Sequence, residues 1–110
     1  MTEKTIAEGK SIAIISYITI IGSLVAFFMN GEKKNEFASF HIRQALGLWL
    51  TFFGLGYIIG GFDSWYVTIG WYLFFGALFF FGFTSALTGK SKPTPILGNF
   101  YQKIFAGLGK

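Results

Sequence analysis

The chain contains no cysteine, two prolines, a single histidine and only five acidic residues among 110. Without cysteine there is neither a disulfide nor thiolate chemistry, and the redox compartment leaves no mark on the sequence. One histidine without clustered carboxylates gives no metal site, and no cofactor-binding motif is present. Nor do a nucleophile, a base and an orienting group recur at a useful spacing. Ser39 and His41, the nearest approach to a triad, stand two apart and face different ways on a helix. The chain therefore reads as non-enzymatic, with no catalytic residue, metal or cofactor.

Charge is also absent from three long stretches, Ser11 to Met29, Gln44 to Phe62 and Ser64 to Gly89. As helices the first two measure about 28 Å and the third about 39 Å, against a hydrocarbon core of roughly 30 Å. The expected fold is an all-α membrane protein with three transmembrane helices, over residues 11–29, 44–62 and 64–89, in a single domain covering 1–110. The first stretch is not a signal peptide, because its apolar run exceeds an h-region of roughly 7–15 residues. Phe27, Phe28 and Met29 also occupy the place of a small-residue cleavage site. The nine basic residues flank these stretches and produce a net charge of +4. That distribution follows from membrane topology and does not point to nucleic acid.

Local signals divide the rest. The polar tail Met1 to Lys10 predicts disorder or a frayed turn. Gly31 suits a left-handed helix cap, and Asn35 with Glu36 suits the start of the next helix. Gly60-Gly61-Phe62-Asp63-Ser64 is short enough to impose a tight antiparallel hairpin on the second and third spans, with Asp63 or Ser64 as N-cap. Pro93 and Pro95 end any helix leaving the third span. Beyond them, residues 95–108 carry Ile96, Leu97, Phe100, Tyr101, Ile104, Phe105 and Leu108 at helical spacing. This predicts a C-terminal amphipathic interfacial helix, or one folded back on the protein's own surface.

Lipid supplies no hydrophobic push between helices, so small residues mark close packing. The first span carries Ser16, Thr19, Ser23 and Ala26 on one stripe, the second a GxxxG pattern at Gly56 and Gly60, and the third Gly82, Ser85 and Ala86. Ser16, Ser23 and Ser85 read as helix-packing hydroxyls bonded to backbone, with a polar path as the alternative. Trp65, Tyr66, Trp71 and Tyr72 form an aromatic belt beside Asp63.

One polar group stands apart. In Phe40-His41-Ile42-Arg43-Gln44-Ala45-Leu46, His41 and Gln44 share a helix face while Arg43 is turned away. His41 and Gln44 are expected to point toward protein and Arg43 to reach phosphate at the membrane rim. The motif serves either as an anchor that satisfies an exposed helix start or as a contact for a partner or headgroup.

This phrase, opening a glycine- and aromatic-rich span, resembles a signature of small bacterial membrane proteins related to the chloroplast inner-envelope protein-import component, the Tic-twenty-like family. The resemblance covers roughly Lys10 to Lys92, and His41, Arg43 and Gln44 match its motif. It implies a bacterial cytoplasmic membrane protein without catalytic residues. The plastid members are associated with four spans and a preprotein translocon.

The expected function is a non-enzymatic membrane subunit or scaffold of a larger assembly, with a translocon-like or transport component as the alternative. Its expected partners are the lipid bilayer and a second copy or other membrane proteins, with no nucleic acid. Three spans place Met1 to Lys10 and Asp63 on one side, and residues 30–43 with the C-terminus on the other. The positive-inside rule then puts the N-terminus outside and the second group in the cytoplasm.

Overall fold

A computed structural model describes residues 2–94 and 97–106, and the described residues form five α-helices and no strand. They are α1 (Glu3–Ser16), α2 (Ile20–Lys33), α3 (Glu36–Ile59), α4 (Trp65–Leu87) and α5 (Gly98–Ile104). Two of them, α3 and α4, are long and apolar enough to cross a membrane. The expectation of three spans is thereby corrected to two.

The difference lies in residues 11–29, which do not form one helix. The chain breaks at Tyr17, and Thr19 takes an extended conformation and caps α2, its hydroxyl accepting from the Gly22 amide at 3.1 Å. The turn is held from both sides. The Tyr17 amide returns to the Ile14 carbonyl, and Ser23 Oγ donates to the Ser16 carbonyl at 2.6 Å. A hydroxyl reaching across the bend satisfies a carbonyl that a continuous helix would have used internally. Ser16 and Ser23 are thus packing residues, but between two limbs of a hairpin.

The N-terminal tail is also ordered. Thr2 caps α1 by accepting from the Thr5 amide at 3.1 Å, and Gly9 is buried where any Cβ would overlap the Asn35 side chain. Asn35 Nδ2 donates to the Thr5 carbonyl at 2.8 Å while its Oδ1 accepts from the Ala38 amide at 3.0 Å. One side chain therefore caps α3, as its position predicted, and fixes α1 beside it. The N-terminal helix begins at the same end of the molecule as α3. Thr5 on α1 and Asn35 at the start of α3 therefore lie side by side.

The cap expected at Gly31 falls elsewhere. Helix α2 runs through Gly31 to Lys33, and Lys34 takes the left-handed conformation with φ 46°. A lysine there costs about 1–2 kcal/mol that glycine would not. The position is fixed because Asn30, buried on α2, bonds forward to the Asn35 amide at 2.9 Å and to Ser39 Oγ at 2.8 Å.

From Asn35 the three helices α1, α2 and the first half of α3 pack together, which is why the buried residues of α3 run from Phe37 to Leu48 and then stop. Beyond Leu48, α3 has α4 along its length, with α5 reaching it at Thr51. Helices α3 and α4 meet through an aromatic ladder, with Trp71, Phe75, Phe79 and Phe83 at intervals of four on α4 against Trp49 and Phe52. Between α3 and α4, Ser64 occupies the N-cap position without a side-chain bond. The molecule is elongated, 48 × 22 × 22 Å, with a thick end where α1, α2 and α5 pack around α3 and α4, and a thin end made of α3 and α4.

The amphipathic C-terminal segment is described only in part, since Ile96 and Leu108 lie outside the described residues. Its helix α5 folds back on α3, where Tyr101 lies over Gly47 so closely that no Cβ fits beneath the ring. Phe100 and Ile104 face outward.

Candidate functional site

The thick end is organised around His41 and Gln44. Both are completely buried at 0% exposure, on the face of α3 turned toward α1 and α4. Their spacing of three brings them to one side, as expected, and the turn of α1 delivers Tyr17 between them. Tyr17 Oη stands 2.6 Å from His41 Nδ1 and 2.9 Å from Gln44 Nε2. The other imidazole nitrogen, Nε2, lies 2.7 Å from the Lys90 carbonyl.

These contacts fix the protons. A carbonyl only accepts, so His41 Nε2 carries hydrogen and Nδ1 of the neutral ring accepts from Tyr17. The Tyr17 oxygen in turn accepts from the Gln44 amide. The result is a chain with one direction, from Gln44 through Tyr17 and His41 to the Lys90 carbonyl.

The segment after α4 closes the site. Residues 90–94 cross it as a strap held by backbone atoms, the Thr94 amide donating to Gln44 Oε1 at 2.7 Å and the Lys92 carbonyl facing Gln44 Nε2 at 3.4 Å. Ser85 adds a second anchor, donating to the Lys90 carbonyl at 2.7 Å and accepting from the Lys92 amide at 3.3 Å. Ser16 Oγ donates to the Ala13 carbonyl at 2.6 Å and lies 3.5 Å from the His41 carbonyl. Rings enclose the polar atoms. Phe37 and Phe40 stand edge-on to His41, and Phe79 and Phe83 edge-on to Tyr17.

Arg43 points away from this cluster, as its position on the helix requires. It is half-buried and its Nη1 is 3.4 Å from Gln102 Oε1, while Gln102 Nε2 donates to the Phe40 carbonyl at 2.9 Å. Arg43 thus contributes to the docking of α5. Tyr101 completes that dock through a 2.6 Å bond to Thr51 Oγ1. Burial holds the Tyr101 phenol above its ordinary value, with the Thr51 bond pulling the other way.

The glycines divide sharply. A Cβ on Gly82 would stand 3.0 Å from the Tyr17 ring and 3.1 Å from Gln44 Nε2, so the missing side chain lets α4 lie against the cluster without displacing either. A Cβ on Gly56 would make an ordinary 3.4 Å contact with Trp71, and one on Gly60 would meet only carbonyls of its own helix. The GxxxG pattern therefore does not mark the tight approach.

Every polar atom of His41, Gln44, Tyr17 and Ser85 within this cluster is spent on another group of the same chain. Chemically it is a latch that joins α1, α3, α4 and the strap. Among the described atoms of the cluster, Thr94 Oγ1 is buried without a partner. Sequence reasoning nominated His41, Gln44, Ser85 and Gly82 but passed over Tyr17, whose position between Ser16 and Thr19 was the available signal for a polar break. Comparison with known proteins finds no matching family model, no matching characterised protein and no matching solved structure.

Proposed function

We propose that the chain is a non-enzymatic integral membrane subunit in which α3 and α4 cross the bilayer and the thick end forms a helical cap on one face. The observation that carries this reading is the exposed apolar surface of the thin end. Phe53, Leu55, Tyr57, Ile58, Leu73 and Phe80 all face outward, and only 28% and 17% of the most apolar windows of α3 and α4 are buried within the molecule. Water would leave that surface uncovered at about 25 cal/mol per Å², whereas hydrocarbon covers it. Trp65 and Tyr66, 81% and 89% exposed beside Asp63, fit the far interface.

Two crossings change the topology. Lys4, Lys10, Lys33, Lys34, Arg43, Lys90 and Lys92 all belong to the thick end, and only Asp63 belongs to the other side. The positive-inside rule then places α1, the connection between α2 and α3, and the strap together in the cytoplasm, a stronger asymmetry than three spans allow. The bacterial cytoplasmic membrane is the compartment that the family resemblance implies.

A role in assembly draws support from α2, which turns Ile21, Leu24, Val25, Phe28 and Met29 outward as a continuous stripe at the thick end. A second copy or another membrane protein would cover it. The two-helix waist encloses no path, which favours a scaffold over a conduit.

The absence of cysteine makes the topology directly measurable. Single cysteines at Thr2, Lys33 and Lys103 should react with a membrane-impermeant thiol reagent only after permeabilisation, and one at Asp63 should react from outside. Reaction of Thr2→Cys and Asp63→Cys from the same side would restore three spans, and release of the protein by alkaline extraction would remove the membrane reading. Purification in mild detergent should recover the chain as an oligomer or with a stoichiometric membrane partner. Recovery as a lone monomer would sink the assembly role.

A further inference from the structure

The strap does more than close the latch. Lys90 and Lys92 serve the cluster through backbone atoms alone, which leaves both ammonium groups outside, and no described carboxylate pairs with either. Both line an open groove of about 400 Å³ on the outward side of α4, together with Ala77, Phe80, Phe81 and Thr84. An apolar trough along a membrane helix, ending at two lysines on the polar side, has the charge order of an anionic lipid: chain below, phosphate above.

We propose that this groove is a binding site for one anionic phospholipid, with an acyl chain along Ala77, Phe80 and Phe81 and the headgroup phosphate on Lys90 and Lys92. The inference rests on the membrane reading above. His41, Gln44 and Ser85 are positioning residues for it, since they hold the Lys90 and Lys92 backbones before any lipid arrives and so remove part of the ordering cost of binding. The carbonyl end of α4 draws on the same two positive charges. The phosphate therefore sits on the outer side of the lysines, in the headgroup layer. A zwitterionic headgroup gains less, because its own cation is repelled by the pair.

The test uses the full chain purified in mild detergent, with native mass spectrometry reading the retention of phosphatidylglycerol against phosphatidylcholine of identical acyl chains. The wild type should retain one phosphatidylglycerol with a preference on the order of tenfold, given the attraction of each lysine near a lipid surface. Lys90→Gln with Lys92→Gln should abolish the preference, whereas Lys33→Gln with Lys34→Gln, which removes equal charge at the end of α2, should leave it intact. Ala77→Trp fills the trough and should lower retention of both lipids without touching charge. Equal retention of the two lipids by the wild type would overturn the proposal, as would a preference lost equally in both lysine pairs. If the Lys90 and Lys92 variant fails to fold, undiminished retention by Ala77→Trp decides against the site. Insertion is scored separately by the cysteine at Asp63, so failure of the membrane reading is distinguishable from failure of the lipid site.

Discussion

Replacing Gln44 with leucine is expected to lower the melting temperature of the detergent-solubilised protein by on the order of 10 °C, and to open the Lys90–Ser91 bond to trypsin. Leucine has similar volume but offers no acceptor to the Thr94 amide and no donor to Tyr17 Oη or the Lys92 carbonyl. A buried amide left without a partner costs about 1–3 kcal/mol, and Thr94 is 3% exposed, so water does not replace the lost bond cheaply. With the weakened Tyr17 and Lys92 contacts the total reaches about 3 kcal/mol. The α3–α4 hairpin keeps its aromatic ladder, so insertion should persist. Unchanged melting together with unchanged cleavage at Lys90 would show that the strap is held by something other than Gln44.

Gly82→Ile should be as severe, and Gly60→Ile should be nearly silent. At Gly82 the first added carbon already meets the Tyr17 ring at 3.0 Å, and Tyr17 is held by both His41 and Gln44 and cannot step aside alone. A branched side chain must push α4 off the cluster, which adds the loss of hub bonds to an overpacking cost of about 1–3 kcal/mol. At Gly60 the backbone is ordinary helical, φ −63°, and the added carbon faces only carbonyls of α3. Its effect should stay below about 1 kcal/mol. Thermal melts of the two variants compare the sites directly, and equal destabilisation would restore the GxxxG pattern as the packing seam.

That contrast shows where the sequence was legible. Spacing alone put His41 and Gln44 on one inward face and Arg43 on another, and the chemistry of Asn35 marked the start of α3. The Gly60 to Ser64 turn was equally plain. The fold of residues 11–29 was not, because an apolar run reads the same whether it crosses a bilayer once or bends on itself. What decides is the bonding of Thr19 and Ser23 across the bend, and hydroxyls serve equally well inside a continuous helix. The strap was hidden for a different reason. Its contacts to His41 and Gln44 run through the backbone of Lys90, Lys92 and Thr94, and peptide groups are identical at every position. Gly56 faces Trp71 of α4 with room for a Cβ, and Gly60 faces only its own helix. A motif reports that close approach is permitted, not that it is used.

The directed chain from Gln44 to the Lys90 carbonyl also has a meaning in time. Its first three members lie within residues 17–44, so the ribosome delivers them early, together with every helix of the cap except α4 and α5. Until residues 90 and 94 emerge, the imidazole hydrogen and the Gln44 oxygen lack their respective partners, and the cap remains open at those two atoms. Its last bonds are made by the part of the chain synthesised after α3 and α4. Closure of the latch thus follows the completion of α4, and a chain cut short before residue 90 would leave two unpaired polar atoms at the centre of its largest core.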